Sequence, residues 1–188
     1  MKRIILASES PRRREILAST DFNFIAKGST CEEFIDLNLP IGKAVEDVAL
    51  KKAQNVQESF LGDVILGADT VVVIDDEVLG KPKDDEDAFN MLKKLSGKTH
   101  KVITGVAILS ENKRDLFHVV SEVTFFDLDD DLINWYVGTS EPMDKAGSYA
   151  IQGKGALLVK AIKGDYFNIV GLPISSVYRK IMPYIALD

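Results

Sequence analysis

The chain has 188 residues, 46% of them hydrophobic and 28% charged, a globular balance that suits one domain, or one domain with two lobes around a cleft. Its formal charge of −6 argues against broad electrostatic binding to DNA or to an anionic membrane, so neither nucleic acid nor membrane is an expected partner. The single cysteine, Cys31, excludes an internal disulfide and a Cys-based zinc site.

No apolar run approaches the roughly 18 residues that span a bilayer. Met1 to Ala7 imitates a signal peptide only briefly, because Arg12-Arg13-Arg14 follows almost at once. A reducing cytoplasm is the expected setting.

In chain order, Arg3 to Ala7 reads as a short buried strand. Ser10 then N-caps a helix that has Pro11 at its first position, runs to about Ser19 and packs Ile16 and Leu17 inward. From Ile41 to Gln57, Ala44, Val45, Val48, Ala49, Ala53 and Val56 recur at helical spacing. The β-branched run Val64 to Ile74 reads as a central strand, with Asp75-Asp76-Glu77 as a hairpin turn. A helix over Asp85 to Leu95 follows, closed by Gly97. Val102–Leu109 and Leu116–Phe126 read as paired strands around Glu111-Asn112-Lys113. Asp129-Asp130-Asp131 opens another helix, Ala156 to Ile162 is a strand, and Pro173 to Ile181 a closing helix. Alternating elements with some hairpin-joined strands predict an α/β fold with a mixed sheet flanked by helices.

Several stretches carry chemistry. Ser8-Glu9-Ser10-Pro11-Arg12-Arg13-Arg14 sets hydroxyls and guanidiniums at a helix N-terminus, where free N–H groups can hold phosphate; a capped helix with solvated arginines is the plainer alternative. No Walker A loop is present. On a helical wheel Lys52 falls within the apolar stripe and Lys51 outside it. An inward lysine needs an anionic partner, unless it snorkels along the helix. Asp69 interrupts a strand whose neighbours are buried in character, so it should neutralise, pair or bind a metal, or else cap a local turn. Gly67 beside it marks a bulge or a close backbone approach.

Lys81-Pro82 follows the hairpin, and Asp144 to Gly155 is a glycine-punctuated loop that also reads as a plain surface turn. Glu32 and Glu33 offer a second acid, with nothing in their spacing to set them apart from a solvated pair. His100, just before a strand, and His118, within one, read as structural.

Taken together, Leu6-Ala-Ser-Glu-Ser-Pro-Arg-Arg, Gly67-Ala-Asp-Thr-Val-Val, Gly80-Lys-Pro, Leu95-Ser-Gly-Lys-Thr-His-Lys-Val, Asp144-Lys-Ala-Gly, Ile151-Gln-Gly and Gly164-Asp-Tyr-Phe-Asn-Ile-Val-Gly-Leu-Pro resemble the Maf family, in collinear order from about residue 4 to residue 175. The resemblance implies one Maf-like domain over residues 1–188, with an inosine-triphosphatase-like α/β fold in which a long mixed central sheet is flanked by helices and two lobes surround a cleft. It also implies a cytoplasmic, homodimeric nucleoside triphosphate pyrophosphatase that uses a divalent cation, Mg²⁺ or Mn²⁺.

Residue by residue, Asp69 matches the catalytic acid, which with Glu33 would hold the metal. Ser8, Arg13, Lys52 and Lys81 match positions around the triphosphate. Arg12, Thr70 and Gln152 match positions that separate subfamilies by substrate, and here look like the dTTP/UTP type. The 7-methyl-GTP type tends to have a tryptophan after the proline, Asp-Gln in the strand and Glu before the glycine. The chain departs from the dTTP/UTP pattern at Glu32-Glu33-Phe34, where Asp-Glu and a small residue are usual. Two alternatives stay open: a 7-methyl-GTP-type pyrophosphatase, and a nucleotide- or nucleic-acid-binding regulator of septum formation. A pure phosphate binder, however, has little use for a buried carboxylate.

Overall fold

The computed structural model describes residues 2–185. β1, Ile4–Leu6, is wholly buried, and α1 spans Pro11–Ala18. The Ser10 hydroxyl accepts from the Arg13 N–H, and Pro11 fills the first turn, where a missing donor costs nothing. Ile16 and Leu17 are buried as their spacing predicts. β2, Phe24–Ala26, is unannounced in the sequence, because three residues are too few for an alternation to register.

α2 spans Ile41–Gln57 and buries the expected stripe, together with Glu46 and Lys52. β3, Val64–Ile74, is buried at every position but Thr70. Asp75 and Asp76, both at positive φ (51° and 62°), turn it directly into β4, Glu77–Leu79. Glu77, expected in the turn, already pairs with Ile74. Two residues with φ > 0 suffice because that turn matches the twist of the flanking strands.

α3, Asp85–Leu95, is capped by Asp84, and α4, Asp130–Val137, by Asp129. β5, Thr99–Leu109, begins before the expected start and takes in His100. β6 is Arg114–Phe125. The strand expected over Ala156 to Ile162 is corrected. Gly153–Leu158 is a 3-10 helix, and β7 covers only Val159–Lys163. Gly153, at φ +67°, bends the chain back, and a Cβ on Gly155 would lie 2.3 Å from the Ala150 carbonyl oxygen, so no extended run fits there. α5, Tyr166–Val170, and α6, Ile174–Ile185, complete the described residues.

The strand order is β2-β1-β3-β5-β6-β7, with β4 on β3. β1 pairs in parallel with β2 and β3, whereas β3–β4 and β6–β7 are antiparallel, which makes the sheet mixed as expected. The chain divides into two compact units. The first comprises the residues up to Asp69, Thr104–Val119 and the chain from Gly171; the second comprises Thr70–Ile103 and Val120–Val170. The first has a core of Ile5, Ala49, Ala53, Val56, Ile65 and Ala107. The second is centred on Leu92, Leu95, Phe125, Ile133 and Tyr136.

Within the first unit, α2 lies flush on the sheet. A Cβ on Gly67 would sit 2.3 Å from the Ala49 carbonyl oxygen, and one on Gly105 2.5 Å from the Val45 backbone. Gly67 therefore marks a close approach of helix to strand, one of its two expected meanings. Gly67→Ala should destabilise the protein by about 1–3 kcal/mol through overpacking, read as a lower midpoint in urea unfolding.

In the second unit His100 is buried, its Nε2 2.7 Å from the Tyr149 hydroxyl and its ring edge-on to Phe125. Burial pushes its pKa from 6.5 down to about 4, so it is neutral at pH 7. Between those values the unfolded chain binds the proton and the folded one does not. Stability is therefore full above pH 6.5 and falls as pH drops towards 4, by on the order of 3 kcal/mol. His100→Gln should flatten that segment of the stability–pH curve.

Candidate active site

Lys52 is placed by α2 and Asp69 by β3, and the close helix–strand approach at Gly67 brings them together. Lys52 Nζ lies 2.6 Å from Asp69 Oδ1 and 2.8 Å from Glu33 Oε1. The Lys52 and Asp69 side chains are 8% and 10% exposed, Glu33 51%. Lys52 thus has the anionic partner that its inward position demands, and the snorkelling alternative is overturned. The two carboxylates converge on one cation from opposite chain directions.

The Ser8–Arg14 segment adds the other polar groups. Ser8, buried, accepts at Oγ from the Ser10 N–H at 3.2 Å and from Arg13 Nη1 at 3.3 Å. Arg13 points inward, and its Nε donates to the Gly171 carbonyl at 2.8 Å. Burial pushes its pKa down, the charges of Asp69 and Glu33 oppose that shift, and the neighbouring Arg12 adds to it. Arg13 is therefore no solvated arginine. Arg12 is half-buried, and Arg14 is exposed.

A family model described as Maf-like protein matches residues 3–183. The chain belongs to the Maf family. It is 49% identical over 179 residues to the dTTP/UTP pyrophosphatase of Bacillus pumilus (strain SAFR-032), which covers 95% of each chain. It is 51% identical over 178 residues to the Ruminiclostridium cellulolyticum dTTP/UTP pyrophosphatase, covering 93% of this chain and 92% of that one. Among solved structures, the Staphylococcus aureus Ham1 protein aligns with a TM-score of 0.46 at 10% identity, over 66% of this chain and 72% of that one.

The donor set of this Maf protein suits a hard divalent cation. Asp69 and Glu33 already share one positive charge, and Mg²⁺ commonly takes one or two carboxylates and completes its shell with water and substrate phosphates. Among the described residues no group of three or more His, Cys, Asp or Glu side chains is placed to hold a metal.

The remaining expected residues belong to the second unit. Thr70, half-buried, follows Asp69 on β3. Lys81 is exposed next to Gly80, whose carbonyl accepts from the Gly147 N–H at 3.0 Å. Gln152 is exposed in the loop before the 3-10 helix.

Three contributors escape the sequence reading. The Gly171 carbonyl holds Arg13 from the far end of the chain. Asn55, one turn beyond Lys52, accepts from Ser29 Oγ at 3.1 Å and the Thr30 N–H at 3.0 Å, which pins the loop leading to Glu33. Its one sequence signal is a residue that disfavours helix interiors lying inside a helix. Finally, the buried Glu46 on α2 accepts from Lys43 Nζ at 2.8 Å and meets His118 Nδ1 at 2.7 Å, which leaves His118 structural.

Lys52→Met should destabilise the apo protein as well as inactivate it. Methionine fits the space of the stem but leaves the buried Asp69 carboxylate without its ammonium partner. The expected loss is on the order of 3 kcal/mol, and Lys52→Met combined with Asp69→Asn should recover part of it in a chemical-unfolding cycle. A double variant whose loss equals the sum of the two single losses would show that the pair carries no coupling.

Proposed function

We propose that this Maf protein is a nucleoside triphosphate pyrophosphatase that hydrolyses dTTP and UTP, and related pyrimidine or modified triphosphates, to the monophosphate and pyrophosphate in a house-cleaning role. The observation that carries the reading is Asp69, a buried carboxylate held by Lys52 at 2.6 Å, with Glu33 on the same amine and the buried Arg13 and Ser8 in the same unit. Relatives at 49% and 51% identity bear the matching name. The reading includes a homodimer and a cytoplasmic setting, where Cys31 stays reduced. No helix among the described residues is long and apolar enough to cross a membrane.

In the reaction a water oxygen bonds to the α-phosphorus while the bridging bond to the β-phosphate breaks, and pyrophosphate leaves with the electron pair. Lys52 fixes Asp69 through Oδ1, so Oδ2 is oriented to accept a hydrogen bond from the attacking water and to take its proton. With Nε anchored on Gly171, the outer guanidinium nitrogens of Arg13 reach phosphate oxygens, and Ser8 and Lys52 add donors. Lys81 serves the same phosphates. A divalent cation on Asp69 and Glu33 would supply Lewis-acid neutralisation of the triphosphate. Arg12, Thr70 and Gln152 set the base preference, with the Gln152 amide offering a donor and an acceptor to a base edge.

The test is pyrophosphate release from dTTP, UTP, CTP, GTP and 7-methyl-GTP with Mg²⁺ or Mn²⁺. dTTP and UTP should have the highest kcat/KM, and Asp69→Asn should lower turnover by about 10²–10⁴-fold with the fold retained. A wild type that prefers 7-methyl-GTP sinks the substrate assignment. A folded Asp69→Asn variant with a tenth or more of wild-type turnover sinks the catalytic role of Asp69.

A further inference from the structure

The loop that carries Gln152 is closed at its neck by a buried phenol and a carboxylate from the preceding helix and turn. Tyr136, on α4, is fully buried, and its hydroxyl donates to Glu141 Oε1 at 2.9 Å while accepting from the Ala150 N–H at 3.2 Å. Glu141 then reaches the other stem: Oε1 accepts from the Gly155 N–H at 3.0 Å and Oε2 from the Lys154 N–H at 3.2 Å. Backbone meets backbone at the neck, since a Cβ on Gly155 would lie 2.3 Å from the Ala150 carbonyl oxygen.

Glu141 is itself held. Its N–H donates to Thr139 Oγ1 at 3.2 Å, and its carbonyl accepts from Lys145 Nζ at 2.6 Å. A carboxylate is the right group for this task, because it is all acceptor and three donors converge on it. Nothing in the chemistry proposed above uses Glu141 or Tyr136, yet together they bind both stems around an exposed glutamine.

We infer that Glu141 is a positioning residue for Gln152, which it holds, with Tyr136, in the one orientation that reads a pyrimidine edge. The inference rests on the pyrophosphatase reading and on the role given there to Gln152. UTP and CTP are the discriminating pair, since they differ only in the donor and acceptor pattern of the base edge. A loosely held amide can rotate and satisfy either, whereas a fixed one leaves the wrong base unpaired.

The experiment compares kcat/KM for UTP and CTP in the full chain carrying Glu141→Gln, Gln152→Ala, or both. Glutamine keeps the shape of Glu141 but sets an NH₂ against one of the three donors. Glu141→Gln should move the UTP-to-CTP ratio about tenfold towards that of Gln152→Ala, chiefly through KM. The double variant should go no further than Gln152→Ala, since Glu141 acts only through Gln152. Hydrogen exchange should quicken at the Lys154 and Gly155 amides. Tyr136→Phe, which removes only the hydroxyl that ties Ala150, should shift the ratio the same way and decides the matter if Glu141→Gln fails to fold.

An unmoved ratio in folded variants overturns the inference, as does an equal loss on both substrates, additive effects in the double variant, or a wild type that treats UTP and CTP alike. A wild type inactive on every triphosphate of the panel overturns the pyrophosphatase reading, one inactive on dTTP and UTP alone overturns the substrate assignment, and the inference falls with either. Activity with an unmoved ratio overturns the inference alone.

Discussion

Lys52 and Asp69 meet at 2.6 Å with at most a tenth of either side chain exposed. Taking each charge out of water costs several kcal/mol, and only close, well-aligned pairing offsets that cost. The pairing requires α2 to lie directly on the sheet, which in turn requires residues without a Cβ at 67 and 105. The strand, the helix, the two glycines and the ion pair are therefore one constraint. Relaxing any of them separates an amine from a carboxylate that neither solvent nor packing can replace.

The same arrangement explains why the apo site tolerates so much charge. Arg13 and Lys52 face Asp69 and Glu33, so these four charges balance before any substrate arrives. On the proposed reading, the guanidinium and ammonium groups would donate hydrogen bonds to an entering triphosphate while Lys52 keeps its hold on Asp69. Glu33 is half-exposed and Asp69 buried, so the contact to Glu33 is the one that costs least to give up.

Much of this was legible in the sequence where periodicity is long enough to carry information. Seventeen residues of α2 place Lys52 inside an apolar stripe, and an eleven-residue apolar strand makes Asp69 conspicuous. The cap, the proline and the cluster of arginines marked the segment in which the structure buries Ser8 and Arg13. Glu33 could not be distinguished from Glu32 by spacing, because a loop has no period and only the fold decides which carboxylate turns inward. β2 and α5 are too short to leave a pattern, and Ala156 to Leu158 has strand composition but is bent by glycine geometry into a 3-10 helix. Asn55 and Gly171 act through hydrogen bonds to distant segments, which no local pattern encodes.

The bond from Arg13 to the Gly171 carbonyl spans 158 positions of sequence. During synthesis the first helix leaves the ribosome early, yet the bond from Arg13 Nε to the Gly171 carbonyl cannot form until residue 171 has been added and has cleared the exit tunnel. Vectorial synthesis thus completes the corner around Arg13 late, although most of its residues are made first. A nascent chain stalled before Gly171 would carry Ser8, Lys52 and Asp69 in full and still lack the carbonyl that holds Arg13 Nε.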